Sequence, residues 1–193
     1  MPHLQIFLVS TRPARKGAAV AAWFEQQARR HGKFDVELVD FAAVNLPLLD
    51  EPEHPRLRKY QQAHTRAWSA RVEKADAFVF VQPEYNFSAP PSLVNALDYL
   101  FSEWEYKAVG FVSYGGVSAG LRSVQMTKQL VTALKMVPMV EAVAIPFFAK
   151  FIDPDTGLFT PEDAQVTAAS KMLDELLRWT NALAVLRHRG TGA

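Results

Sequence analysis

Five short apolar runs punctuate the chain, at Leu4 to Val9, Phe34 to Val39, Ala77 to Val81, Ala108 to Ser113 and Met139 to Ile145. Ala77-Phe78-Val79-Phe80-Val81 is unbroken, as expected for a strand buried on both faces. Apolar positions return with the helical period over about Gly17 to His31, Leu57 to Lys74, Pro91 to Phe101, Ser118 to Met136 and Pro161 to Leu186. The last helix has the clearest stripe: Val166, Ala169, Leu173, Leu176, Leu177, Leu183 and Ala184. Its start reads as Thr160 capping, Pro161 in the first turn, and Glu162 and Asp163 complementing the helix dipole. Five strand–helix units imply a single α/β domain over residues 1–193, with a parallel sheet covered by helices on both faces.

The distinctive chemistry lies where strands give way to helices, the edge at which open α/β sheets bind ligands. After the third strand, Gln82-Pro83-Glu84-Tyr85-Asn86-Phe87-Ser88-Ala89-Pro90-Pro91 brings two aromatic rings, an amide and a hydroxyl together. Pro90 and Pro91 suit a helix start, and Leu93, Leu97, Leu100 and Phe101 share one helical face. Such a turn suits a flat, partly polar aromatic ligand better than an ion; the plain alternative is a packed turn, with Glu84 capping or pairing structurally. After the first strand, Ser10, Thr11, Arg12, Arg15, Lys16 and the amides near Gly17 suit a phosphate. Taken alone, a solvated basic turn is the plainer account, and the Walker spacing is absent. After the fourth strand, Ser113-Tyr114-Gly115-Gly116 pairs two glycines, which permit positive φ and close approach of backbone to a planar ligand.

Composition removes several classes. The 193 residues are 49% hydrophobic and 21% charged, with a net charge of +1, so neither a nucleic-acid footprint nor a strongly acidic carrier surface is expected. There is no cysteine, which excludes disulfides and thiolate chemistry. The five histidines are scattered without ligand spacing, so no metal site is expected. No run approaches a membrane span and no leader pattern opens the chain, which makes a cytoplasmic protein the default.

Pro83-Glu84-Tyr85-Asn86-Phe87-Ser88-Ala89-Pro90, followed by Leu93 and Asn95-Ala96-Leu97-Asp98-Tyr99-Leu100, resembles the signature of NAD(P)H-dependent FMN reductases. Those are flavodoxin-like flavoproteins that include quinone and azo reductases. Ser10, Arg12, Arg15 and Gly17 match the family's phosphate loop, although Val9 stands where many relatives carry glycine. Ser113-Tyr114-Gly115-Gly116, with Ala119 and Gly120, resembles its flavin-edge loop. The resemblance implies a flavodoxin-like sandwich of strand order 2-1-3-4-5, which puts the first and third loops at the topological switch point. It further implies FMN as cofactor, with its phosphate at Ser10, Arg12, Arg15, Lys16 and Gly17. The ring would lie against Pro83, Glu84, Tyr85, Asn86 and Phe87 on one side and Ser113, Tyr114, Gly115 and Gly116 on the other. NADPH or NADH would be co-substrate, and a quinone, azo compound, metal oxyanion, nitro compound or free flavin the acceptor. Chemistry rests on the flavin, so no catalytic side chain is named.

Relatives of this kind form homodimers or homotetramers, and Tyr99, Phe101, Trp104 and Tyr106 offer more aromatic surface than one short helix readily buries. Arg56, Arg58 and Lys59 meet either a 2′-phosphate or only solvent. A rival reading is a flavodoxin-like electron carrier or sensor, which a more acidic surface would favour. A second is a serine hydrolase: Gly116-Val117-Ser118-Ala119-Gly120 fits the nucleophile-elbow pattern, with Asp153 or Asp155 and His188 following. Against it, Ser118 lies well past the strand end.

Overall fold

A computed structural model describes residues 1–187. In chain order it contains β1 (His3–Leu8), α1 (Gly17–His31), β2 (Asp35–Asp40), α2 (Phe41–Val44), α3 (Ala63–Glu73), β3 (Ala77–Pro83), α4 (Pro91–Asp98), β4 (Ala108–Tyr114), α5 (Leu121–Ala133), β5 (Val137–Ile145) and α6 (Asp163–Arg187). All strand pairings are parallel, in the order β2-β1-β3-β4-β5, as the resemblance implied.

The hydrophobic pattern follows from position in this sheet. Every residue of β3 and β4 is buried, whereas the edge strands β2 and β5 mix buried and open positions. On one face Leu4, Ile6, Val79, Val81 and Val112 pack against α1 and α6. Gly110 permits this closeness, because a Cβ there would stand 3.0 Å from the Met172 sulfur on α6. On the other face Phe7, Phe78, Phe80 and Phe111 meet Trp68 and Trp104 under α3, α4 and α5. Among the described residues no helix is long and apolar enough to cross a membrane.

Several boundaries differ from those read in the sequence, each for a local reason. Helix does not run from Leu57: Pro55–Leu57 is one 3-10 turn, Arg58 takes φ 52°, and α3 starts only at Ala63. The Glu51 carboxylate, distant in sequence, accepts the Gln61 and Gln62 N–H groups at 2.8 and 2.9 Å and holds that entry. α5 begins at Leu121 rather than Ser118, because Ala119 and Gly120 are left-handed at φ 53° and 80°. α6 begins at Asp163; Thr160 and Pro161 precede it, and Gln165 reaches back to accept the Glu162 N–H at 3.1 Å, half of a capping box.

Of the four aromatic residues around the end of α4, two are closed off within the chain, while Phe101 and Tyr106 stay half-buried. Tyr99 and Trp104 are fully buried. The Tyr99 hydroxyl donates to Asp50 at 2.9 Å, and the Trp104 indole donates to the Leu97 carbonyl at 3.2 Å.

Candidate functional site

The chain leaves β1 with Val9 still paired to the Val81 carbonyl (3.3 Å), so the residue that departs from the family pattern simply prolongs the strand. Ser10 is buried and its hydroxyl meets the Tyr85 hydroxyl at 2.7 Å, tying the first loop to the third. The loop then turns through an Arg12 carbonyl–Arg15 N–H bond (3.2 Å), with Ala14 at φ 54°, and enters α1. No side chain caps α1. Its first N–H groups therefore face the loop as an anion site, beside the exposed Arg12 and Lys16. Arg15 is already engaged: its guanidinium pairs with Asp40, which also caps α2 through Ala42 N–H at 3.0 Å. Its Nε is nevertheless buried with no partner.

After β3 the chain makes a tight hairpin. Tyr85 and Ser88 exchange both backbone hydrogen bonds (3.0 and 2.9 Å) across Asn86 and Phe87, left-handed at φ 51° and 68°. Consecutive left-handed residues mark a type I′ turn, the geometry that matches a two-residue hairpin. It turns the Tyr85 phenol towards Ser10 and leaves Phe87 68% exposed. Glu84 is almost enclosed. It accepts from the Ser118 hydroxyl (3.0 Å), the Arg122 backbone N–H (3.2 Å) and the Arg122 Nε (2.7 Å), with the other guanidinium nitrogen also in contact. Burial pushes this carboxyl up, but the bonds from Arg122 and Ser118 outweigh it and hold Glu84 below the ordinary carboxylate range.

The loop after β4 is stitched to the segment after β5. Gly115 N–H donates to the Ile145 carbonyl, and Phe147 and Phe148 N–H groups donate back to Gly116 and Gly115, at 3.1–3.3 Å. Neither Gly115 nor Gly116 takes positive φ, contrary to the reading of the paired glycines; that conformation falls to Ala119 and Gly120. Gly116 instead leaves open space, since a Cβ there would meet nothing within 4 Å. Tyr114 packs against Phe148 at 4.8 Å and abuts Gly17. Burial raises its hydroxyl pKa.

These loops enclose a cavity of about 750 Å³ at the carboxyl ends of β1, β3 and β4, the switch point of the sheet. Ser10, Arg12, Arg15, Lys16, Gly17, Pro83, Glu84, Tyr85, Tyr114, Gly115 and Gly116 all line it. Three expected residues do not. Asn86 lines a neighbouring cavity together with Arg12 and Tyr85. Phe87 points outward beneath the Arg122 guanidinium, 3.8 Å from its ring centre. Ser113 is fully buried in β4, its hydroxyl without a partner. Arg56, Arg58 and Lys59 lie elsewhere, and Arg58 pairs with Glu73 at 2.6 Å.

Two parts of the site were not read from sequence. Phe147, Phe148, Ala149 and Lys150 form a wall of the cavity. Their signal was available, because aromatics directly after a fifth parallel strand must fall at the same edge. Arg122 had none, since its contact with Glu84 spans 38 positions.

The cavity fits FMN in its own terms. An uncapped helix N-terminus, two exposed cations and an orphaned buried Arg15 Nε suit a phosphate; the tyrosine, proline and glycine walls, with open space at Gly116, suit a ring.

The elbow reading of Ser118 fails on contacts. Gly115, Gly116 and Val117 separate it from β4, and among the described residues its hydroxyl bonds to Glu84. Asp153 Oδ1 closes its own turn through Thr156 N–H at 2.7 Å, and His188 lies outside the described residues. Ser118→Ala is expected to cost about 1.5–3 kcal/mol of stability, one hydrogen bond to a charged group, and to leave reductase turnover largely intact. Thermal denaturation and steady-state assay check this, and an esterase activity lost in the variant would contradict it. Among the described residues no group of three or more His, Cys, Asp or Glu could hold a metal ion.

Known proteins resemble this chain over most of its length. An NAD(P)H-dependent FMN reductase of Schizosaccharomyces pombe is 38% identical over 149 residues, covering 75% of this chain and 74% of its own. One from Nectria sp is 28% identical over 187 residues, covering 92% and 93%. In fold, the chain resembles the flavoenzyme NAD(P)H:(acceptor) oxidoreductase FerB from Paracoccus denitrificans, with TM-score 0.73, 19% identity, and 94% and 98% coverage. The profile of NADPH-dependent FMN reductases matches residues 3–150, which span the β1 loop, the Tyr85 hairpin, the Gly115–Gly116 loop and the Phe147–Lys150 wall, and the chain belongs to that family.

Proposed function

We propose that the protein oxidises NADPH or NADH and passes the electrons to a small organic acceptor such as a quinone, at the cavity formed by the β1, β3 and β4 loops. FMN bound there would supply the two-electron redox chemistry that links the nicotinamide to the acceptor. The observation that carries this reading is the convergence of phosphate-type donors and planar aromatic and glycine walls on one cavity. Arg12, Lys16 and the α1 amides hold the phosphate, with Arg15 Nε completing the set. Pro83, Tyr85, Gly115 and Gly116 flank the ring, and the Ser10–Tyr85 bond keeps both halves in register. The Gly116 backbone N–H, unlike the Gly115 N–H already bonded to the Ile145 carbonyl, offers a donor to negative charge developing on the ring.

Assembly as a homodimer or homotetramer rests on the exposed apolar side chains Phe87, Val117, Leu121 and Phe147, which follow closely in sequence on the cavity-lining strand ends. Light scattering that returned a monomer mass at micromolar concentration would end that part.

The deciding experiment is the absorbance of FMN-loaded protein before and after anaerobic NADPH and then NADH. Bleaching by either nucleotide, with recovery on adding a quinone, supports the reductase. A flavin that stays oxidised points to a carrier or sensor, and protein that takes up no FMN refutes the proposal.

A further inference from the structure

The Glu84–Arg122 pair does more than close a loop. Glu84 lines the cavity, and its carboxylate, on a side chain only 7% exposed, is the anion nearest the ring-binding loops. Arg122, in the first turn of α5, meets that carboxylate with both guanidinium and backbone N–H. Gly120 at the N-cap offers no side chain, so Glu84 also caps α5, and the helix dipole adds to the neutralisation. Arg122 is held from the other side by Phe87, 3.8 Å beneath it at the tip of the Tyr85 hairpin. Two independent contacts thus hold one cation against one buried anion.

We propose that Arg122 is a positioning residue that tunes the bound flavin: by neutralising Glu84 it removes a negative charge that would oppose electron uptake, and so raises the flavin's reduction potential. This rests on FMN occupying the cavity as proposed above. A purely mechanical latch would affect oxidised and reduced FMN alike, whereas an electrostatic one separates them and changes sign with the charge removed.

The test is a redox titration of FMN-loaded wild type, Arg122→Ala, Glu84→Gln and the double variant, with FMN affinity measured in both redox states. Arg122→Ala leaves the carboxylate unpaired, and its preference for reduced over oxidised FMN is expected to fall about tenfold, roughly 30 mV towards negative potential. Glu84→Gln keeps the shape, leaves the cation unpaired, and is expected to shift the potential the opposite way. The double variant returns close to wild type. Should Arg122→Ala fold poorly, the sign of the Glu84→Gln shift decides alone. Unmoved potentials, or single variants shifting in the same direction, overturn the inference while the reductase reading stands. A wild type that binds no FMN removes both.

Discussion

Gly17→Ala is expected to weaken FMN binding by roughly a hundredfold while leaving the thermal midpoint close to wild type. A Cβ at Gly17 would lie 2.0 Å from the Tyr114 hydroxyl oxygen and 2.7 Å from the ring carbon that bears it. One partner must move. Tyr114 is 4% exposed and packed against Phe148, so its ring can yield only into the cavity it lines, where the cofactor would sit. The Arg12–Lys16 turn is largely exposed and is the cheaper element to displace. Overpacking of this kind costs about 1–3 kcal/mol, and a clash with a buried ring belongs at the upper end, equivalent to roughly a hundredfold in affinity. Because the displaced element is the phosphate cradle, the loss appears in cofactor binding rather than in the core. Tyr114→Leu removes the colliding atoms, so Gly17→Ala should cost much less in that background than in wild type. Fluorescence titration of the four proteins measures this, and FMN affinity within threefold of wild type for Gly17→Ala alone would refute the steric account.

Arg12→Ala is expected to separate FMN from riboflavin. Arg12 is exposed on the cavity rim, whereas Arg15 is held by Asp40 and keeps only its buried Nε unpaired, so Arg12 and Lys16 are the exposed cations that carry most of the phosphate contact. A charge-assisted hydrogen bond contributes about 1.5–3 kcal/mol, so FMN binding should weaken roughly ten- to hundredfold. Riboflavin, lacking the phosphate, should bind both proteins almost equally, and hydride transfer at saturating FMN should stay near the wild-type rate. Lys16→Ala is the control for a loop in which the contact passes one turn along. Equal losses for FMN and riboflavin would mean that Arg12 supports the fold or the ring site instead.

The strand pattern was legible because burial in a doubly covered sheet leaves unbroken apolar runs, and β3 and β4 are buried at every position. Helix ends were less so, since α3 is set by Glu51 and α5 by the left-handed pair Ala119 and Gly120, neither visible in local periodicity. The loops after β1, β3 and β4 could be found from chain order together with the family resemblance. What each side chain does could not. Phe87 faces outward because of the handedness of its hairpin, Ser113 inward because it is the penultimate residue of β4, and Arg122 joins the site through a contact between the start of α5 and the distant loop after β3.

The distribution of the cavity along the chain sets when it can exist during synthesis. Its phosphate loop leaves the ribosome early, but β1 finds its central neighbour only when Leu4 pairs with Ala77, and the Phe147–Lys150 wall emerges far later still. A nascent chain therefore carries the Ser10–Gly17 loop long before there is a pocket to attach it to. FMN can stabilise only the state in which β3, β4 and β5 have docked, so cofactor supply acts on the last step of maturation and not on the initial collapse. In a flavin-starved cell the vulnerable species would be a nearly finished, empty domain rather than an early folding intermediate.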